Sequence, residues 1–318
     1  MEMDGPESSN IEDRRGDSGG SGGGFGGGGL GGGSFGGGGY GPGFGIPLGG
    51  GLFRGGFGLI AIVVIALILG VNPLALLGLA DGGSNYVAPQ THTASRPATS
   101  SDAETHFVAR VLRSTEDVWT ELFRQQHRTY VDPKLVLYRG QTRTQGCGIG
   151  QEAMGPFYCP GDQKVYLDLG FFDELSRRFH SPGQFPQAYV VAHEVGHHVQ
   201  NLLGILGKVD RMREQMSKRD ANALSVRLEL QADCLAGVWA YHASHGPNAS
   251  LKLSDQDVEQ AITAATAIGD DTLQKQAQGR VVPDSFTHGT SEQRVRWFNI
   301  GLQSGNMNKC DTFRASQL

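Results

Sequence analysis

The 318-residue chain predicts an α+β fold: a helix-rich domain with a small sheet, set behind a disordered Gly-rich tail and one transmembrane helix. Three observations carry that expectation. Apolar residues recur at helical spacing through most of the chain from residue 103 onward. Only two short β-rich runs, 135–138 and 164–169, interrupt them. The first 80 residues hold a glycine tract followed by an unbroken apolar run.

More than half of the 49 glycines fall in residues 16–58, without the Gly-X-Y period of collagen and with little else to bury, so residues 1–58 read as a disordered tail. From 59 to 80 nothing is charged and only Asn72 is strongly polar. A helix of that length reaches across a bilayer core of about 30 Å. A cleaved signal peptide would place a shorter apolar core near the start of the chain, and a buried helix would show polar residues at helical spacing. Asn72-Pro73 is a point where the span kinks or ends. Arg14, Arg15 and Arg54 precede it and only Arg96 lies between 81 and 109, which directs the amino terminus to the cytoplasm and the carboxy-terminal domain outside. A net charge of −5 with no basic cluster argues against nucleic acid as a partner.

Residues 81–101 read as a polar linker and 102–318 as the folded domain. A helix over 103–126 carries Phe107, Val108, Val111, Leu112, Val118, Trp119, Leu122 and Phe123 at helical spacing. Strands at 135–138 and 164–169 precede a helix over 171–179. Pro182-Gly183 marks a turn, and Pro186 suits the first turn of a helix ending near Gly204. A further helix covers 220–245. Ser254 with Asp257, and Thr290 with Gln293, have the spacing of capping boxes that open two more. All four cysteines follow the apolar run, in a compartment that permits disulfides. Four cysteines allow three pairings. The short loop favours Cys147–Cys159, which leaves Cys234–Cys310, with buried free thiols as the alternative.

The chemistry centres on His193-Glu194-Val195-Gly196-His197, an H-E-x-x-H motif inside an apolar helix. Residues four apart share a helix face, so both imidazoles reach one metal ion, with the Glu194 carboxylate beside them as general base. A helix carrying these groups on a solvated face is the bland alternative. It fits badly, because they interrupt an apolar run. A catalytic zinc needs a third ligand. Position 203 is Leu, which rules out a third histidine at the H-x-x-G-x-x-H spacing. Glu229 and Asp233, four apart on the later helix, supply a carboxylate ligand and an acceptor for the remaining N–H of a zinc-bound histidine. A surface ion-pair face using Arg227 is the competing reading of that pair.

The pairing of His193-Glu194-x-x-His197 with Glu229-x-x-Ala232-Asp233 resembles the gluzincin zinc peptidases. More closely, the chain resembles the bacterial putative neutral zinc metallopeptidases. The resemblance runs through Gly155-Pro156-Phe157-Tyr158-Cys159-Pro160, Val165-Tyr166-Leu167-Asp168, both motif helices, the stretch from His288 to Phe298, and Asn10-Ile11-Glu12-Asp13-Arg14-Arg15-Gly16 with its glycine tract and apolar run. It therefore covers nearly the whole chain.

The resemblance implies a zincin-like domain holding one Zn2+ through His193, His197 and Glu229, with a protein or peptide as substrate and the membrane as a partner through 59–80. Thr287-His288 with Arg294 is similar to the downstream Thr-His…Arg of prenyl-protease-like membrane metallopeptidases. This makes His288 the candidate oxyanion donor and Arg294 its support, with Tyr189 and Tyr166 as alternatives; a loop histidine capping the Thr290 helix is the plain reading of His288. The class resemblance also implies that 165–169 is the sheet edge on which an extended peptide pairs. His198 faces away from the motif pair, and His242 and His245 suit a helix carboxy terminus. A non-cleaving, zinc-stabilised scaffold of the cell envelope is the second functional expectation. Retention of Glu194 argues against it.

Overall fold

The computed structural model describes residues 1–16, 98–151, 155–179, 181, 183–245 and 249–318. The run 59–80, the glycine tract and most of the linker lie outside the described residues. Among the described residues no helix is long and apolar enough to cross a membrane.

In chain order the elements are β1 (Glu2–Met3), β2 (Ile11–Asp13), α1 (Ala98–Gln125), β3 (Lys134–Tyr138), β4 (Gln141–Arg143), β5 (Ile149–Gln151), β6 (Phe157–Cys159), β7 (Lys164–Asp168), α2 (Gly170–Arg177), α3 (Gln184–Leu202), α4 (Ile205–Arg213), α5 (Lys218–Ser244), β8 (Leu251–Lys252), α6 (Asp255–Ala267), α7 (Asp270–Gln278) and α8 (Ser291–Ser304). Short 3-10 turns at Pro283–Ser285 and Met307–Cys310 flank α8. The fold is helix-rich α+β, as expected, but three small sheets stand where one was expected. The largest has the order β2-β3-β7-β6, the first three strands parallel and β6 antiparallel to β7.

β3 and β7 are buried on both faces, which explains their near-continuous apolar sequence. Leu135, Leu137, Val165 and Leu167 face the helices; Val136, Tyr138, Tyr166 and Cys159 form a second small core on the other side. The helical side is built around α5, buried continuously from Leu228 to Ala240. At its crossing with α8, a Cβ added at Gly301 would fall inside the Cys234 carbonyl, and one at Gly237 inside that of Phe298. Glycine here sets the distance between two backbones. Both expected capping boxes are present, at Ser254/Asp257 and Thr290/Gln293. Both expected disulfides are formed, Cys147–Cys159 and Cys234–Cys310.

Two expectations need correction. Residues 1–16 are not part of the tail. Ile11, Glu12 and Asp13 pair with Leu135, Val136 and Leu137, and β1 pairs with β8. Polar contacts hold the segment between them: Ser8 Oγ and Asn10 Nδ2 both donate to Glu116 Oε1, at 2.5 and 2.9 Å, and Lys164 Nζ reaches Glu12 at 2.7 Å. The second correction concerns β7. It pairs with β3 along its length and with β6 over Lys164–Tyr166, so the expected edge at 165–169 is already occupied at Val165 and Tyr166. The short β6, with Cys159 tied to Cys147, covers Lys164 to Tyr166.

Candidate metal centre

α3 and α5 can approach because Gly196 lies against Ala232: a Cβ at Gly196 would sit 3.1 Å from the Ala232 carbonyl oxygen. Glu229 and Asp233 flank that contact on α5, and His193 and His197 flank it on α3. The small residue between the histidines thus brings their rings to the carboxylates. His193 Nε2 lies 3.2 Å and His197 Nε2 3.5 Å from Glu229 Oε2. The three ligand atoms all lie within 4.8 Å of one another, the single such grouping among the described residues. α3 ends where Gly204 turns left-handed at φ 75°, and α4 then begins.

The outer nitrogens of both rings are engaged. His193 Nδ1 donates to Asp233 Oδ1 at 2.8 Å. The same carboxylate accepts from Tyr189 Oη at 2.5 Å and from Arg294 Nε and Nη2 at 3.0 and 2.9 Å. Burial works against a charge on Asp233, but Arg294 and His193 outweigh it and hold its carboxyl below the usual range. An ionised Asp233 fixes a hydrogen on His193 Nδ1, so that Nε2, on the Glu229 side, is the nitrogen left for a metal. His197 Nδ1 faces Gln200 Oε1 at 2.8 Å, with the same consequence.

The electrostatics call for a cation between these groups. Burial disfavours an imidazolium at His193, yet Asp233, Glu229 and Glu194 lift it to about 10. His197 is raised by Glu229 and Glu194 against the same burial cost. Glu229, despite burial, is held well below the usual carboxylate range by His197 and His288. Two imidazole Nε2 atoms, each oriented from behind, and one carboxylate oxygen form the donor set of a catalytic zinc site. The residues present fit that ion.

Each remaining candidate has a definite place. Glu194 is buried and close enough for its charge to act on both histidines. Arg294 supports Asp233 rather than His288. His288 lies near enough to Glu229 for each to shift the other's proton affinity. Tyr189 and Tyr166 are not free to serve as oxyanion donors, because their hydroxyls are given to Asp233 and to Asp162 (2.6 Å). Arg227 does not pair with Glu229 or Asp233; it binds the carbonyls of Thr312 and Ala315.

His198 is neutral and structural. Burial pushes it down to about 4, and it joins Tyr158 of β6 (3.0 Å) to the Val131 carbonyl (2.7 Å). That link anchors the edge strand to α3. His242 and His245 bind the carbonyls of Gly305 and Tyr241.

Sequence reasoning missed Asp270 and Gln200. Asp270, fully buried, accepts the backbone N–H of Thr287 (2.6 Å), His288 (2.6 Å) and Gly289 (3.1 Å), and so holds the loop that carries His288. In sequence it resembles any acidic residue in the first turn of a helix. Gln200 gave no signal, since an amide on a helix reads as a solvated position.

Residues 2–313 match the family described as "Putative neutral zinc metallopeptidase". The chain is 47% identical over 310 residues to the protein named "Uncharacterized protein YpfJ" of Escherichia coli strain K12, covering 98% of this chain and 97% of that one. It is 43% identical over 264 residues to "Uncharacterized protein Rv2575" of Mycobacterium tuberculosis strain H37Rv, covering 80% and 86%. No solved structure matches.

Proposed function

This chain belongs to the putative neutral zinc metallopeptidase family, and from that premise we propose that it is a zinc-dependent endopeptidase acting on proteins or peptides outside the cytoplasm. The observation that carries the reading is the pair of oriented imidazoles facing Glu229, with the Glu194 carboxylate beside them. Zinc held by His193, His197 and Glu229 would supply Lewis-acid polarisation and a water acidic enough to lose its proton near neutral pH. Glu194 is the carboxylate that would accept a proton from the attacking water and deliver it to the departing amine. His288, held by Asp270, opposes the negative charge that develops on the carbonyl oxygen. Asp233, itself held by Arg294 and Tyr189, keeps His193 in its ligating tautomer.

Two disulfides support an oxidising compartment for the domain, and the apolar run 59–80 supports attachment to a membrane. The cytoplasmic placement expected for the first residues is not retained, because 1–16 are built into the same domain. A purely structural zinc has no use for Glu194 and would be closed by a fourth protein ligand, and none groups with the three among the described residues.

The test uses the full-length protein in mild detergent, wild type against Glu194→Gln, with zinc content and cleavage of an unfolded protein substrate as readouts. One zinc per chain in both, with cleavage in the wild type alone, is expected. Zinc in both with cleavage in neither refutes the peptidase reading. Zinc in neither refutes the site.

A further inference from the structure

Behind His197 runs a buried chain of amides that the peptidase chemistry does not use. Gln200 is fully buried; its Oε1 accepts from His197 Nδ1 at 2.8 Å. Its Nε2 donates to the Leu228 carbonyl at 2.7 Å and to Gln231 Oε1 at 3.1 Å. Gln231 Nε2 in turn donates to the Cys310 carbonyl at 2.9 Å. Cys310 is disulfide-bonded to Cys234, the neighbour of Asp233 on α5. Beyond it, Thr312 Oγ1 donates to the Arg227 carbonyl and Arg227 binds back to Thr312 and Ala315.

The direction of this relay is fixed from its far end. A backbone carbonyl only accepts, so the side of Gln231 that meets Cys310 is its NH2 group. Its oxygen then faces Gln200, which must present an NH2 group there and to the Leu228 carbonyl. That leaves the Gln200 oxygen for His197, whose Nδ1 must carry the hydrogen. Turning either amide over sets oxygen against oxygen in a buried site, at the cost of an unsatisfied polar group.

We infer that Gln200 is a positioning residue for His197, and that the carboxy-terminal segment at Cys310 sets, through Gln231 and Gln200, the tautomer in which His197 offers Nε2 to the metal. The inference rests on the proposed metal site. The two histidines are oriented by different chemistry: His193 by an ionised carboxylate, His197 by a neutral relay anchored on a disulfide. Both routes meet at the Cys234–Cys310 bridge, which joins the neighbour of Asp233 to the anchor of Gln231.

The test measures zinc release to a chelator from the full-length protein, with far-UV circular dichroism to confirm the fold. Gln200→Leu is expected to release zinc about 10 to 100 times faster than wild type, the range for losing a hydrogen-bond partner of a metal-bound histidine. Gln231→Leu touches no ligand and keeps the relay testable if Gln200→Leu fails to fold; its release is expected to lie between the two. The double variant is expected to match Gln200→Leu, because links in series cannot be broken twice. Wild-type release in Gln231→Leu, or effects of the two substitutions that multiply, overturns the relay. If wild type holds no zinc, or His197→Ala holds it as tightly, the metal site itself has failed.

Discussion

Replacing Ser8 and Asn10 with alanine tests whether the first residues belong to the domain. Both side chains donate to one oxygen of Glu116, whose residue is 4% exposed on α1. Burial pushes the Glu116 carboxyl up, and the Asn10 and Ser8 donors pull it back. Hydrogen bonds to a charged group contribute about 1.5–3 kcal/mol each, so the double variant should lose roughly 3–5 kcal/mol at pH 8, with the part-buried Asn10 bond at the lower end. In a Glu116→Gln background the acceptor is neutral, and the same pair should cost only about 1–2 kcal/mol. The loss should also shrink in acid. A carboxyl whose folded pKa is raised gains a proton in the fold first as pH falls, after which Ser8 and Asn10 face a neutral group. Urea unfolding of the full-length chain in detergent, followed by tryptophan fluorescence, reads all four corners of the cycle; Trp119 lies one turn from Glu116. A double variant within about 0.5 kcal/mol of wild type at pH 8 would refute the docking of residues 1–16.

Further outcomes are expected elsewhere. Asp233→Asn removes the counter-charge of buried Arg294, so it should cost about 3–5 kcal/mol in urea unfolding. It should also speed zinc release by about 10 to 100 times, and unchanged release would show that Asp233 does not orient His193. Gly301→Ala forces α5 and α8 apart and should destabilise by about 3 kcal/mol, the upper end for overpacking; a neutral result would mean the crossing is looser than described. Replacing Cys234 and Cys310 with serine opens a loop of sequence separation 76 against 12 for Cys147 and Cys159. The chain-entropy account gives losses of about 4.5 and 3 kcal/mol, and the reverse order of melting temperatures would contradict it.

Much of the site was legible because its geometry is local. His193 and His197 are one helical turn apart, as are Glu229 and Asp233, so the period of the helix alone assembles two faces. What the pattern could not show is how those faces meet, which depends on Gly196 against Ala232 across two helices. Asp233 could be assigned to a histidine because a buried carboxylate demands a partner. Gln200 and Gln231 make the same kind of contact but, being neutral, raise no such demand in a sequence. Short strands were legible only where both faces are buried, as in β3 and β7. β2 is three residues long, two of them acidic, and has no alternation to mark it; its pairing is a long-range event. α4 and α7 were missed because their buried residues are few, Leu206 and Val209 in one, Asp270 and Leu273 in the other.

The pairing of β2 with β3 also has a topological consequence. Residues 1–16 and 98–318 form one folded body, so the chain between them is an excursion that leaves and rejoins it. A closed excursion passes through any barrier an even number of times. The single run of spanning length within it, 59–80, supplies one passage, which would place hydrogen-bonded neighbours such as Asn10 and Leu135 on opposite faces of a bilayer. Parity therefore weighs against the arginine bias: β2 and the helices that carry His193, His197 and Glu229 lie on one side of any barrier.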